Sequence, residues 1–577
     1  QHLRALQRAG VTDVHLLPVF DLATVPERGC VTPKPRGSAA SDSQQATVLE
    51  TAATDCYNWG YDPLHYTVPE GSYTSNPADG AVRVREMRQL VQSLHALGLR
   101  VGMDVVYNHT SASGQHLHSV LDRIVPGYYH RLNARGDVET STCCANTATE
   151  HRMMAKLMIE SVATWVRQYH VDAFRFDLMG HQPRDVMEQL QHTVDSVAGR
   201  HIALIGEGWD FGEVANGARF VQASQLSLNG SGIGTFSDRA RDAIRGGGPG
   251  DNGRAQRERQ GYITGLVYDR NAFAPATDNT ETLMRAADMV RVGLAGTLSS
   301  YRLRTFRDDT LTLDRIDYAG QPAGYVREPA EVVNYVENHD NQTLFDVAAF
   351  KLRDETSATD RARVQTLGAA LNAFSQGIAY FHAGQEVLRS KSMDRNSFDS
   401  GDWFNRIDWS LRQNYFGTGL PPARDNTDSW PLMQPLLANA AIRPSPADIR
   451  FTRDAFLDLL RIRASSSLFR LRSTTDVLER LTFFNTGSTQ QPTVVAAHLN
   501  GASYPGANYQ ALVYLVNVDT VAHTVTNTAL RGRAYVLHPV HRAASAADQR
   551  ARRATFDATV GAFTVPARTA VVWVLER

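Results

Sequence analysis

The feature that most constrains this chain is a recurring unit: a short apolar run of strand character, a charged or histidine residue at its end, then a stretch of helical periodicity. Four of these runs carry reactive side chains: VGMDVVYNH (101–109), VDAFRFDLMGH (171–181), ALIGEGWDF (203–211) and VVNYVENHDN (332–341). Strands that alternate with helices predict a parallel sheet covered by helices. In a barrel built this way the C-terminal strand ends converge on one face, so residues far apart in sequence meet there.

Strand-like runs fall at 11–20, 99–106, 171–177, 202–207, 233–236, 331–338 and 377–381, and helical spacing at 1–9, 87–97, 152–169, 184–197, 361–375 and 453–465. The expectation is an α/β fold, a (β/α)8 TIM barrel with loop insertions over residues 1–469. Only seven strands are found, so its first strand is expected to be missing from this chain. A long stretch, 21–80, reads as irregular, and GGGPG (246–250) and 421–428 read as surface loops. From about 470 the pattern changes to short strands such as TVVAAHL, ALVYLVNV, RAYVLHP and TAVVWVLE without helices between them. Residues 470–577 are therefore expected to form a C-terminal antiparallel β-sandwich domain.

Lys plus Arg number 59 against 60 Asp plus Glu, a net charge of -1. Such a balance creates no global field for nucleic acid or an anionic membrane, and favours a neutral partner such as carbohydrate. No apolar run is long enough to span a bilayer, and residues 1–20 lack the pattern of an export signal. The four cysteines cannot scaffold a chain of 577 residues. Cys30 and Cys56 bracket a Pro, Gly and Ser-rich segment, where a staple and two free thiols are both compatible with the sequence, and the adjacent Cys143 and Cys144 are equally undecided. A staple would suit an exported protein whose signal lies outside the chain.

In VDAFRFD the side chains alternate, so Arg175 and Asp177 share one face and Phe174 and Phe176 the other. An arginine beside a carboxylate keeps it ionised, the state a nucleophile needs. Taken alone, an R-x-D pair is more often a structural strand-end ion pair. Glu207, between Ala203–Ile205 and Gly208–Trp209, is expected in apolar surroundings that keep it protonated, as a general acid must be. Asp340, with His339 and His109, would complete a polar wall around a sugar ring. His109, His181 and His339 have no H-E-x-x-H or H-x-H spacing, so a catalytic metal is not expected. GGGPG lacks the Lys-Ser/Thr ending of a phosphate loop.

The four segments, in this order and at these separations, resemble the conserved regions of the α-amylase superfamily, glycoside hydrolase family 13. YNWGYDP (57–63) resembles the signature of type I pullulanases and limit dextrinases. VPEGSY (68–73), GIGTFSDR (232–239), RGGGP (245–249) and SGDWFNRIDW (400–409) are similar as well. The resemblance implies hydrolysis of α-1,6-glucosidic bonds in pullulan, amylopectin or limit dextrins, with retention. Asp177 would be nucleophile, Glu207 acid and base, and Asp340 the third carboxylate. Asp104, His109, Arg175 and His339 would surround the attacked glucose, with Tyr61 stacked beneath it. Trp209 and Asn341 would face the leaving side, and Asp402 with Arg406 would hold the next glucose outward.

Retention implies a separation of about 5 to 5.5 Å between the two reacting carboxyl groups. No cofactor is implied for catalysis; the resemblance leaves room for a structural Ca2+, with Asn108 as one ligand by analogy, without fixing a metal site, and the protein is expected to act as a monomer on α-glucans. The competing readings are an α-1,4-acting amylase or transglycosylase, which would not need YNWGYDP, and a starch-binding protein without turnover, which would not need all three carboxylates.

Overall fold

The computed structural model describes residues 1–577 in two compact units. One consists of Val11–Pro33 and Glu50–Phe236, the other of Gln1–Gly10, Lys34–Leu49 and Ser237–Arg577.

The first unit is built on five parallel strands, β1 (Asp13–Leu16), β2 (Arg100–Val105), β3 (Ala173–Phe176), β4 (Ala203–Gly206) and β5 (Gly234–Phe236), which pair in chain order. Apart from Arg100 and Ala203 at their starts, β2, β3 and β4 are buried throughout, as parallel strands covered on both faces are. Helices Gly80–Ala96, Arg152–Tyr169 and Arg184–Ala198 make the crossovers. In the second of these, Met154, Met158, Val162, Trp165 and Tyr169 recur at three- and four-residue intervals and form one buried stripe. Its end is set by His170, which takes a left-handed backbone and returns its N–H to Val166. Trp165 is fully buried and satisfies its indole N–H on the Tyr66 carbonyl at 3.0 Å; truncating a side chain of this size costs about 3–5 kcal/mol.

The stretch expected to be irregular contains an antiparallel pair, Phe20–Leu22 with Pro63–Pro69. Glu70 fastens it by accepting the Leu22 and Ser72 N–H groups at 2.8 and 2.7 Å. A helix over Ser43–Thr51 also lies in this stretch. Its buried residues include Gln44 and Gln45, which bond to Ser38 and Ala423, so no apolar stripe marks it in the sequence.

In the second unit β6 (Val332–Asn334) and β7 (Ile378–Ala379) pair in parallel. Helices Asp238–Arg245, Thr280–Leu294, Ala358–Ala373 and Pro446–Ser465 accompany them. The seven expected strands are thus all present, within an α/β architecture of parallel strands and crossover helices.

Beyond residue 480 the backbone is antiparallel, with β8 (Leu481–Phe484), β9 (Val494–Asn500), β10 (Ala511–Asn517), β11 (His523–Thr526), β12 (Val536–Leu537), β13 (Thr555–Asp557), β14 (Ala562–Val565) and β15 (Thr569–Leu575). They form a five-stranded sheet, β8-β9-β10-β15-β12, and a three-stranded one, β11-β14-β13. Val494, Val513, Leu515, Phe563 and Trp573 pack together in one core. Two details correct the sequence reading. A helix, Thr474–Arg480, capped by Ser473, follows residue 470, and the loop at 421–428 contains a helical turn, Ala423–Asn426. Both are too short for apolar periodicity to reveal.

Candidate active site

The register of β2 against β3 sets Asp104 beside Arg175. Arg175 is 2% exposed, and its guanidinium gathers three carboxylates. Nη1 donates to both oxygens of Asp104 at 3.0 and 3.1 Å and to Asp177 Oδ1 at 3.2 Å, while Nη2 lies 3.0 Å from Glu207 Oε1. Burial opposes the Arg175 charge, but Asp104, Glu207 and Asp177 outweigh it and hold the guanidinium protonated well beyond its ordinary range. Burial pushes Asp104 up to about 6, against the pull of Arg175 and Tyr61. Phe174 and Phe176 are both fully buried on the other face, as the alternation requires.

The surroundings of Glu207 differ from the apolar pocket expected. It is 6% exposed, but its oxygens meet Arg175 and the Leu178 N–H, the latter at 3.1 Å. In this arrangement one oxygen faces the Arg175 guanidinium and the other accepts from the backbone.

Tyr61 is more than a flat ring. Its hydroxyl donates to Asp104 Oδ2 at 2.5 Å, and the Arg175 guanidinium lies 5.7 Å from the ring centroid. His109 is buried, with Nε2 on the Tyr61 carbonyl at 2.8 Å and Nδ1 on the Asn108 side-chain amide at 2.9 Å. Burial lowers its pKa, so the ring is neutral and donates through Nε2.

Both cysteine pairings left open by the sequence are closed: Cys30 bonds to Cys56 and Cys143 to Cys144. The adjacent pair packs against His109, with Cys143 Sγ 3.8 Å from Nε2. His109, Cys143 and Cys144 form the one cluster of three metal-capable side chains. Its two sulfurs are taken up in the Cys143–Cys144 disulfide and its third donor is a nitrogen, whereas calcium takes six to eight oxygens, so the cluster does not fit that ion. Asn108 Oδ1 is buried without a hydrogen-bond partner, a single oxygen of the required kind with no carboxylate cluster around it.

Trp209 follows Glu207 on a loop that the sequence reading left without support. Arg131, 2% exposed, donates to Glu213 Oε1 at 2.8 Å, to both Glu150 oxygens, and to the His181 carbonyl. Asn146 and Ser141 also bond Glu213, and His181 packs on Phe211 at 4.7 Å between ring centroids. This network ties the 207–213 loop to the 131–150 segment. Its members lie up to 82 residues apart and share no motif, so nothing in the sequence links them.

The other unit carries the remaining candidates. His339, Asp340 and Asn341 are contiguous and half-buried, with His339 Nε2 3.8 Å from Asp340 Oδ1 and Asn341 at a φ of 60°. Behind them stand two groups the sequence reading missed. Lys391 Nζ donates to the His339 carbonyl, and Glu337, fully buried and pushed by burial up to about 7, bonds His382 at 3.1 Å. Asp402 and Arg406 lie one helical turn apart and are joined through the backbone at 2.9 Å. The Arg406 guanidinium is sandwiched between Trp403 and Tyr415, 3.8 and 4.0 Å from their ring centroids, while Asp402 is exposed.

Three carboxylates are thus gathered by one arginine at the ends of adjacent parallel strands, the place where folds of this kind carry their reacting groups. The family described as Alpha-1,6-glucosidases, pullulanase-type, C-terminal matches residues 411–576. Pullulanase 1, chloroplastic, of Arabidopsis thaliana is 41% identical over 100% of this chain and 62% of its own length, and a pullulanase of Klebsiella pneumoniae is 40% identical over 92% and 52%. A crystal structure of the maltotriose complex of PulA from Klebsiella pneumoniae superposes with a TM-score of 0.95 at 38% identity, covering 100% of this chain and 66% of that one. The chain belongs to the type I pullulanases of the α-amylase superfamily, and it spans between half and two thirds of the length of these relatives.

Proposed function

We propose that this protein is a debranching enzyme that hydrolyses α-1,6-glucosidic bonds in pullulan, amylopectin and limit dextrins, acting as a monomer with retention of configuration. The observation that carries the reading is the single guanidinium of Arg175, which holds Asp104, Asp177 and Glu207 together. A nucleophile and an acid that share one guanidinium are neighbours, and retention requires their carboxyl groups to stand about 5 to 5.5 Å apart.

In the proposed reaction Asp177, kept ionised by Arg175, attacks the anomeric carbon. Glu207 leaves Arg175, takes up a proton, and delivers it to the glycosidic oxygen, so that the C–O bond breaks as the glycosyl–Asp177 ester forms. Water then attacks the same carbon, giving its proton to Glu207 and releasing Asp177. Asp340 is assigned the role of third carboxylate against the positive charge of the oxocarbenium-like transition state and His339 that of hydrogen-bonding the ring hydroxyls, while His109, whose two nitrogens are taken by the Tyr61 carbonyl and the Asn108 amide, braces Tyr61 rather than the sugar. Tyr61 packs under the ring, Trp209 and Asn341 face the leaving chain, and Asp402 with Arg406 bind the next glucose outward. The stacked Trp403–Arg406–Tyr415 layers support the last role by fixing the guanidinium.

The same reading takes residues 1–469 as a (β/α)8 catalytic domain and 470–577 as a β-sandwich domain. The two disulfides support an oxidising, extracytoplasmic location. Pullulan is the deciding substrate. Release of maltotriose, first in the α-anomeric form, is expected, with no shortening of linear amylose. Glu207→Gln should lower turnover by about 10²–10⁴-fold and leave binding largely intact. Amylose cleavage by the unmodified chain would favour the α-1,4 reading, and near-native turnover of the variant would remove Glu207 from its role.

A further inference from the structure

The RGGGP motif (245–249) has no role in the reaction proposed above, yet it walls a cavity of about 40 Å³ within the second unit. That is room for about two or three species the size of water, and far too little for a sugar ring. Gly246 and Gly247 take left-handed backbone angles, φ 85° and 70°, which bend the loop around the cavity. A Cβ on Gly247 would run into Asp251 Oδ2 and stand 3.3 Å from Lys351 Nζ, so the loop closes this tightly only with glycine. Asn338, Asn341 and Gln342 complete the wall, so the cavity lies alongside the turn that carries Asp340.

The charges on the wall do not balance. Its two carboxylates are already satisfied: Asp242 pairs with Arg241 at 2.7 Å and accepts the Tyr318 hydroxyl at 2.8 Å, and Asp251 pairs with Arg259 at 2.6 Å and accepts the Gly248 N–H at 3.1 Å. Arg245 and Lys351 have only carbonyl partners, Gln342 at 3.1 Å and Arg259 at 2.5 Å. Lys351 is 4% exposed, and burial lowers it to about 7; burial also depresses Arg245, with Arg241 adding to the effect. Two cations withdrawn from water without a counter-charge are costly to keep.

A third donor points the same way. Gln342 is 8% exposed, and its Nε2 is buried on the cavity wall without a hydrogen-bond partner. An acceptor in the cavity would recover the free energy that this unpaired N–H forfeits. The wall also holds an orphaned acceptor, Gln256 Oε1, which a water beside an ion would satisfy. The lysine that GGGPG lacks in sequence is supplied here from the end of the Leu344–Lys351 helix.

We propose that this cavity is an anion site, which takes one small monovalent ion of the size of chloride between Arg245, Lys351 and Gln342. The ion meets both unpartnered cations and the orphaned amide at once. No sugar enters the cavity, so the proposal and the debranching reading stand or fall separately.

The test titrates the unmodified chain with sodium chloride, while sodium gluconate, whose anion is too large for the cavity, holds the ionic strength constant. The melting temperature is expected to rise saturably, by about 2 °C at a hundredfold excess over Kd, and sulfate is expected to give no such rise. A crystal soaked in bromide should show anomalous density between Arg245 and Lys351. Lys351→Met and Arg245→Gln should each weaken chloride binding at least fivefold; if one of them does not fold, shown by its melting curve, the other carries the comparison. Equal melting in chloride and gluconate, or an equal rise with sulfate, overturns the site. Bromide density without a saturable rise, an adventitious ion only, overturns it as well, and so does an undiminished chloride response in the variants.

Discussion

Lys391, 1% exposed, reaches through the second unit to donate a 2.7 Å hydrogen bond from Nζ to the carbonyl oxygen of His339, the residue before Asp340. Its own backbone N–H is held by Asp346 at 2.8 Å, so the position of one end of the His339–Asp340 turn depends on a buried cation.

Burial lowers the Lys391 pKa from 10.5 to about 8; Asp394, Asp340 and Asp346 raise it and Arg389 lowers it. As pH rises through about 8 the positive charge facing Asp340 is lost, and kcat should fall with it. Stability moves the other way. A lysine whose folded pKa lies below the unfolded one is penalised in its charged form, so between about 8 and 10.5 this group favours folding increasingly as pH rises. Loss of kcat above pH 8 without a fall in melting temperature is the expected signature. Lys391→Met should lower kcat at least tenfold at pH 7 and remove that alkaline limb; kcat within twofold of the unmodified protein would show that Lys391 does not position Asp340.

Asp104 sets the expected acid limb. Its carboxyl lies at about 6, raised chiefly by burial, and the Tyr61 hydroxyl is one of the groups that pull it down. Protonation below pH 6 loosens its hold on Arg175, so kcat/KM should drop there. A folded pKa above the unfolded value of 3.8 means that this group adds stability as pH falls from about 6 towards 3.8, while activity is being lost. Tyr61→Phe removes the hydrogen bond and should move the acid limb to higher pH, whereas Tyr61→Ala should also raise KM by loss of the ring. An unshifted pH profile in Tyr61→Phe would deny the hydroxyl this role.

Gly180 packs against the backbone beside Trp209: a Cβ at this position would stand 2.0 Å from the Trp209 carbonyl oxygen. Its own N–H donates to the Glu207 carbonyl at 2.9 Å. Gly180→Ala must therefore displace the 207–211 loop, at a cost of about 1–3 kcal/mol typical of overpacking. Lower thermal stability together with reduced kcat/KM on pullulan is expected. A crystal structure of the variant with Trp209 in place would contradict it.

Glu213 is the anchor of the same loop. Burial raises its pKa, but hydrogen bonds from Arg131, Ser141 and Asn146 prevail and hold it at about 2, below the ordinary 4.5. A depressed carboxylate stabilises the fold above pH 4.5 and loses that contribution as pH falls towards 2. The melting temperature should decline over this window, and Glu213→Gln should show a lower plateau with a shallower decline. Parallel curves for both proteins would exclude Glu213 as the source.

The strand ends were legible in the sequence because a parallel strand buried on both faces is a nearly continuous apolar run, and the charged residue that closes it stands out. Asp177 and Glu207 directly follow β3 and β4, Asp104 and Arg175 are the next-to-last residues of β2 and β3, and His339 and Asp340 lie in the turn beyond β6. The alternation in VDAFRFD was enough to set Arg175 beside Asp177, since period-two geometry is local. The Ser43–Thr51 helix was not legible, because buried glutamines satisfied by distant backbone replace its apolar stripe.

The sequence by itself determined the strand–helix order and the reactive side chains at the strand ends, since both follow from periodicity over a few residues. Only the tertiary structure decided what each side chain touches. It paired Glu207 with Arg175 rather than with apolar surface, gave the Tyr61 hydroxyl to Asp104, joined Cys143 to Cys144 against His109, and brought Lys391 under the turn that carries Asp340. The physical reason is that ionisation and hydrogen bonding depend on neighbours a few ångströms away, and here several of those neighbours lie tens of residues distant along the chain.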